Sequence, residues 1–468
     1  MKQYIRILSF ITLLLTSLGS FAQSNGDGWN CFAVLAGKAT TIDNSVLLAH
    51  NEDDSGEQMI NIYNVPANKE KGTNKYIWVE FPGMAVADGF LNEYGVAVVS
   101  DACNSREDRE DFTDGGVLYQ VRESVAKYAK SARHAVEIIG KIVTEKGYTG
   151  SGRTYVVADC NQGWVCSVVK GRHWIAQRVP DDMVMSIPNY YTIGEIDLSD
   201  TSNFLGSPDI ISYTQERGWY NPEKDGKFIF KKVYSNPGTY SSYRNAFRHI
   251  SAMNYITGEN YSLNPDTYPF ALKPNRKLGL DDMIQILSSH GENIPDNLVK
   301  ERKTDSHNEC ICNDRTVCAA IFQLRNYMPV EIGAVMWATA ASPCIEAFIP
   351  WYSGMTKSPD GFTRFSSAEL AQERHFSDSK EKQKNYPNGI AWKFVNRLEW
   401  VLEDYPARIG KISATKNKIQ KELFDNQQKF EEKIIKLFNS GSASSYKQIQ
   451  AMLNKYTERC YNNYFKEF

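Results

Sequence analysis

The chain has 468 residues, 53 Lys and Arg against 55 Asp and Glu, a formal net charge of −2 and 12% aromatic residues. That length can bury a large core and suggests two or three domains. The aromatic share argues against disorder, and the lack of a basic excess argues against nucleic acid as a partner.

Residues 1–22 read as a signal peptide: Lys2 and Arg6 precede the apolar stretch Ile7–Leu18, and Ser20-Phe21-Ala22 supplies small residues for cleavage. The apolar stretch is shorter than the about 20 residues of a membrane span, and no Cys follows the cleavage point directly. Export to the periplasm or the medium, with no membrane anchor, is therefore expected. Residues 23–30, Gln-Ser-Asn-Gly-Asp-Gly-Trp-Asn, are polar and glycine-containing and read as a propeptide.

Cys31 follows. If the Asn30–Cys31 bond is cut, one residue carries both a thiol nucleophile and a free α-amine. An amine with a pKa of about 7.7–8.0 can serve that thiol as base. The alternative is a buried cysteine opening a core strand. Nine cysteines are present, at 31, 103, 160, 166, 310, 312, 318, 344 and 460. Setting Cys31 aside leaves an even number, which agrees with one free catalytic thiol in an oxidising compartment. Cys310-Ile-Cys312 matches no standard zinc spacing and none of the seven histidines lies in an HExxH motif, so neither a metal nor a cofactor is expected.

Further along, Ala33–Leu35 and Val46–Ala49 flank a turn at Ile42–Ser45 and predict a hairpin. Tyr76–Phe81 and Val96–Val99 are strand candidates, the second fed by the turn Asn92-Glu-Tyr-Gly95. Helical spacing runs through Gly116–Gly147. Short strands are predicted at Thr154–Ala158, Gly163–Val169, His173–Arg178 and Met183–Ile187. Asp197–Thr239 is loop-rich, with a helix near Ile210–Gln215. Ser242–Met253 and Gly279–Ser289 read as helices, and strands return at Val317–Arg325, Gly333–Ala340 and Phe348–Tyr352. This order suits a layered α+β fold. Residues 407–468 differ: they are polar and charged, with one apolar helical stripe through Ile412, Ile419, Leu423, Phe430, Ile434 and Phe438. A helix packed on the catalytic core explains that stripe better than a partner-binding coiled coil.

Several segments carry a family resemblance. They are Cys31-Phe-Ala-Val-Leu-Ala-Gly-Lys-Ala39, His50-Asn-Glu-Asp53, Asn92-Glu-Tyr-Gly-Val96, His173–Asp182, Ile193-Gly-Glu-Ile-Asp197, Gly218-Trp-Tyr, Phe322-Gln-Leu-Arg325 and Phe348-Ile-Pro-Trp-Tyr. In this order the chain resembles the dipeptidase A family of cysteine N-terminal-nucleophile (Ntn) hydrolases, relatives of the bile-salt and penicillin V acylases. The motifs span residues 31 to about 355 and the resemblance implies a four-layer αββα sandwich; the catalytic domain is taken as 31–406, and 407–468, by its composition, as a C-terminal helical extension. It also implies cleavage of small peptides. Cys31 matches the nucleophile, Asp53 the acid that orients it through its amine, and Asn189 an active-site asparagine suited to an oxyanion.

At residue 50 the relatives usually carry Arg and this chain has His. His50 either gives pH-dependent help to the thiol, marks a shifted substrate preference, or is structural. The family's later arginine falls at Arg244 or Arg248, and both qualify. A further site residue would fall around Ser100–Cys103. Small peptides are the expected partners, with self-association into a homo-oligomer left open. The rival readings are a non-peptide amide hydrolase acting on N-acyl amino acids or bile salts, and a secreted binding protein on an inactive Ntn scaffold.

Overall fold

The computed structural model describes residues 31–53, 60–81, 86–299, 310–362 and 389–467. The expected signal peptide and propeptide lie outside the described residues. Fourteen strands are described: β1 (Phe32–Ala36), β2 (Val46–Asp53), β3 (Asn61–Val65), β4 (Tyr76–Phe81), β5 (Val86–Asn92), β6 (Ala97–Ala102), β7 (Tyr148–Ala158), β8 (Gly163–Gly171), β9 (Trp174–Val179), β10 (Val184–Ile187), β11 (Phe204–Gly206), β12 (Thr316–Leu324), β13 (Ala334–Thr339) and β14 (Ile349–Tyr352). The longer helices are α1 (Gln120–Tyr128), α2 (Ala132–Lys146), α3 (Tyr243–Thr257), α4 (Leu280–Leu287), α5 (Ala391–Glu403), α6 (Tyr405–Phe438) and α7 (Ala443–Glu467).

Two antiparallel sheets form, in the orders β10-β1-β2-β12-β13-β14 and β11-β9-β8-β7-β6-β5-β4-β3. Sequence alternation explains how they stack. In β6, Ala97 and Val99 enter the core shared with β1 and β2, while Val98 enters a second core with α1 and α2; in β7, Val156 and Val157 divide in the same way. Strand β1, Phe-Ala-Val-Leu-Ala, is buried on both faces. The layers therefore run α1 and α2, second sheet, first sheet, then α3 and α4, giving the αββα sandwich that the sequence implied.

The predicted helix over 116–147 is two helices. Ala129 leaves helical geometry, and Ser131 caps α2 by accepting from the His134 backbone N–H at 3.1 Å. Apolar periodicity runs through the break because both helices cover the same sheet. The turn at Asn92 is held as its residues suggest: Asn92 Oδ1 accepts from the backbone of Tyr94 and Val96, and its Nδ2 donates to Ala129 O at the end of α1. At the far end of β1, a Cβ on Gly37 would stand 2.5 Å from the backbone oxygens of Pro180 and Asp181, so β1 lies close under the loop leading to β10.

Helices α5–α7 pack along the β13–β14 edge. The α6 stripe faces inward, with Ile412, Ile419, Leu423 and Ile434 buried. Arg325, at the end of β12, makes a two-pronged pair with Glu431 of α6, both contacts at 2.7 Å, and Tyr352 adds a hydrogen bond to the same carboxylate. Trp351 Nε1 donates to Tyr461 OH of α7 at 2.9 Å. Among the described residues no helix is long and apolar enough to cross a membrane.

Candidate active site

Cys31 immediately precedes β1, the strand held between β10 and β2. Its thiol is buried and donates to Glu52 Oε1 at 3.1 Å. The two-residue period of β2 places His50 and Glu52 on the face turned toward the second sheet, and Asn51 and Asp53 on the face turned toward the helices. Across the inter-sheet core, β6 brings in Asp101, one of the four positions at 100–103 singled out in the sequence. Cys31 Sγ, a His50 ring nitrogen and an Asp101 carboxylate oxygen lie within 4.8 Å of one another, and His50 Nε2 stands 3.8 Å from Asp101 Oδ1. Thiol, imidazole and carboxylate could together ligate a metal; they equally suit proton exchange around a nucleophile.

Asp53 points the other way. Its carboxylate accepts from Thr316 Oγ1 at 2.7 Å and from Asn313 Nδ2. The thiol's own hydrogen-bond partner is thus Glu52, next to the acid that the resemblance assigned.

Asn189 occupies the left-handed region at φ 69°, which a non-glycine residue rarely adopts. Its Nδ2 donates to Ala102 O at 3.0 Å, and its Oδ1 accepts from Arg248 Nη2 at 2.7 Å. Arg248, buried on α3, also donates to Cys31 O at 3.0 Å, Pro188 O at 3.3 Å and Asn245 Oδ1 at 2.8 Å. One guanidinium therefore clamps the Cys31 carbonyl to the Asn189 loop. Arg244 lies one turn earlier on α3, partly exposed, and reaches the site through its charge on Arg248. Of the two candidate arginines, Arg248 is the one in the cluster.

Burial dominates the electrostatics. It raises the Cys31 thiol well above its ordinary pKa, and the carboxylates of Glu52, Asp101 and Asp53 raise it further. Burial pushes Asp53 up to about 7 against the lowering by Asn313, Thr316 and Arg248, and Asp101 up to about 7 against the lowering by His50. Burial also lowers His50 despite the pull of Asp101 and Glu52, so its imidazole is neutral at neutral pH. His50 is therefore no substitute for a permanent Arg cation. The cations nearby are Arg248, Arg153 and Arg122. Arg153 donates to Ser100 Oγ at 3.0 Å and Arg122 Nε to the same oxygen at 3.0 Å, beside Asp101.

Glu52, Arg153, Asn313 and Thr316 were not singled out from the sequence, and Asp101 only as one of the four positions 100–103. A signal existed for Glu52 and Asp101: four polar residues, His-Asn-Glu-Asp, end the apolar strand β2, and Ser-Asp ends the apolar run of β6. The nine cysteines are all free thiols in this structure, so the even count that remains without Cys31 does not translate into bridges.

A family model described as peptidase family C69 matches residues 118–379, more than half of the chain. The chain belongs to peptidase family C69. The matched span includes Asn189, Arg244 and Arg248, while Cys31, His50, Asp53 and Asp101 precede it. Among similar proteins, the "Probable dipeptidase B" of Streptococcus pyogenes serotype M1 is 24% identical over 400 residues, covering 77% of this chain and 78% of that protein. "Dipeptidase A" of Lactobacillus helveticus is 24% identical over 368 residues, covering 71% and 77%. A penicillin V acylase structure from Agrobacterium tumefaciens aligns at TM-score 0.38 and 11% identity, covering 69% of this chain and 86% of that one. For a C69 peptidase, the cluster around Cys31 is the candidate active site, because it joins a thiol to buried titratable groups and a clamped asparagine.

Proposed function

We propose that this C69 peptidase is an exported cysteine dipeptidase that cuts the amide bond of dipeptides or small peptides, with Cys31 as nucleophile after removal of residues 23–30. The observation that carries the reading is the convergence of Glu52, His50, Asp101, Asn189 and Arg248 on a buried Cys31. While Asn30 is attached, the Cys31 nitrogen is an amide and cannot act as base. The thiol attacks the Asn30 carbonyl, its proton passes to the departing nitrogen, and water hydrolyses the resulting thioester. This leaves a free thiol and an α-amine on Cys31. In turnover that amine takes the thiol proton, the thiolate attacks the substrate carbonyl, and the amine returns the proton to the leaving nitrogen. Water then releases the acyl group.

Asn189 spends one N–H on Ala102 O; its amide carries two, and the second is free to meet the oxyanion. Asp53, held by Thr316 and Asn313, takes the role of holding the new ammonium. The carboxylates around Cys31 favour a substrate with a free amine over an acyl chain, which supports dipeptides over the N-acyl and bile-salt alternatives. Signal-peptide features at 1–22 support export.

N-terminal sequencing and intact mass of the exported wild type and of Cys31→Ala test the proposal. The expected result is a wild-type chain starting at Cys31 and a variant that retains residues 23–30 and turns over no dipeptide. A wild-type chain that keeps residue 30 yet remains active overturns it. Turnover of an N-acetyl dipeptide equal to that of the free dipeptide would favour the acyl-amide reading. Wild-type protein with no turnover of either would favour the binding protein.

A further inference from the structure

Away from Cys31, three loops meet beneath the start of α6. His290 lies just beyond α4, Cys312 just ahead of β12, and Cys344 between β13 and β14. The two sulfurs and a His290 ring nitrogen lie within 4.8 Å of one another. Cys344 is within hydrogen-bonding reach of Cys312, His290 and Tyr405. Cys312 is fully buried against Ile345, Val401 and Ile412, whereas Cys344 is 6% exposed and the His290 side chain 25% exposed. The pair thus has an inner and an outer thiol, with the imidazole beside the outer one.

Groups of both signs face Cys344: His290 and Lys416 on one hand, and the carboxylates of Glu346 and Glu292 with Tyr405 on the other. His290 Nδ1 stands 3.6 Å from Glu292 Oε1. Burial alone would lower the imidazole, but Cys344 and then Glu292 raise it above its ordinary value. On the other side Lys416 is anchored by donating to Pro343 O at 3.0 Å, and its charge acts on both sulfurs. A histidine and an ammonium beside a thiol are the surroundings that activate cysteines. The same ammonium disfavours a metal cation between the sulfurs.

We propose that Cys312 and Cys344 are a reversible dithiol–disulfide pair, oxidised by small-molecule disulfides and reduced by small thiols. His290 takes the Cys344 proton, and the thiolate attacks one sulfur of a disulfide RSSR, breaking its S–S bond and releasing RSH with that proton. Cys312 then attacks Cys344 Sγ in the mixed disulfide, its own proton leaving with the second RSH. Two electrons pass from the pair to RSSR, one S–S bond is broken and one formed. Cys312 adjoins Asn313, which donates to Asp53, so bridging ties down the loop that holds this carboxylate.

The test is thiol mapping of the full chain: incubation with oxidised glutathione, alkylation under denaturing conditions, then mass spectrometry. The expected product is about 2 Da lighter for the two hydrogens lost, contains a linked Cys312–Cys344 peptide, and reverts with dithiothreitol. Cys166, buried elsewhere, stays alkylated. His290→Asn is expected to slow bridge formation at least about tenfold at pH 7 and less at pH 9, where the thiol ionises without help, a pH signature that a packing role would not give. Alkylation of both thiols after the oxidant overturns the proposal. So does one equivalent of zinc that shields both of them. Because the wild-type map decides, a variant that fails to fold does not block the test. Running it in Cys31→Ala separates this proposal from the catalytic one.

Discussion

At the level of single residues, the site is unusual in burying Asp53 and Asp101 with pKa values near 7. An unfolded Asp titrates near about 3.9, so between about pH 4 and pH 7 the folded chain holds protons that the unfolded chain has lost. Unfolding then releases protons, and stability falls as pH rises through that window. We expect the melting temperature of Cys31→Ala to be higher at pH 5 than at pH 8. Asp101→Asn removes its share of that dependence and is expected to gain up to about 4 kcal/mol at pH 8 relative to its parent, read from thermal melts at the two pH values. Arg248→Ala strips donors from Cys31 O, Pro188 O, Asn189 Oδ1 and Asn245 Oδ1; we expect at least about 3 kcal/mol of destabilisation and no turnover. Arg244→Ala is expected to stay within about 0.5 kcal/mol of wild type and to keep its activity, so a denaturant melt and a dipeptide assay on the two variants tell the arginines apart.

At the level of elements, β1 is what aims Cys31, and it is pinned on both edges and at its far end. Gly37→Ala would drive a Cβ into the Pro180 and Asp181 carbonyls. The expected cost is about 1–3 kcal/mol, with a drop in kcat larger than any change in KM if Cys31 has its proposed role, because the shift moves the strand that follows it. Kinetics of the variant beside its melting curve check this. Strands were legible where they carry β-branched residues and turns, as in Val96–Val99 and Gly163–Val169. The helix break at Ala129–Ser131 was not, since apolar spacing records the buried face and not the backbone turn. Cys31, Asp53 and Asn189 could be found from local motifs. Asp101 was narrowed only to positions 100–103, and the contacts of Glu52 and Asn313 were not legible, because their proximity arises from strand register and sheet stacking between distant segments.

For the whole molecule, the C-terminal helices are fastened to the first sheet by buried charge. Arg325 and Glu431 are each about 5% exposed, so removing one partner leaves the other uncompensated in the core. Arg325→Ala is expected to cost about 3–5 kcal/mol, and paired Arg325→Met, Glu431→Leu substitutions much less, both read from denaturant midpoints. The apolar stripe on α6 was plain in the sequence. The ion pair was not, since Arg325 and Glu431 stand 106 positions apart.

The Arg248 clamp on Cys31 O spans 217 positions, and the Thr316 bond to Asp53 spans 263. Cys31 emerges from the ribosome well before the arginine that clamps its carbonyl. At about 5–20 residues per second, roughly 10–40 s separate the making of Cys31 from that of Arg248. Throughout that interval the thiol has no clamp, and β2 beside its strand still lacks β12, which is made later. On the proposed role of Cys31, chain order acts as a timer: the thiol gains its clamp only once the chain has been made as far as α3.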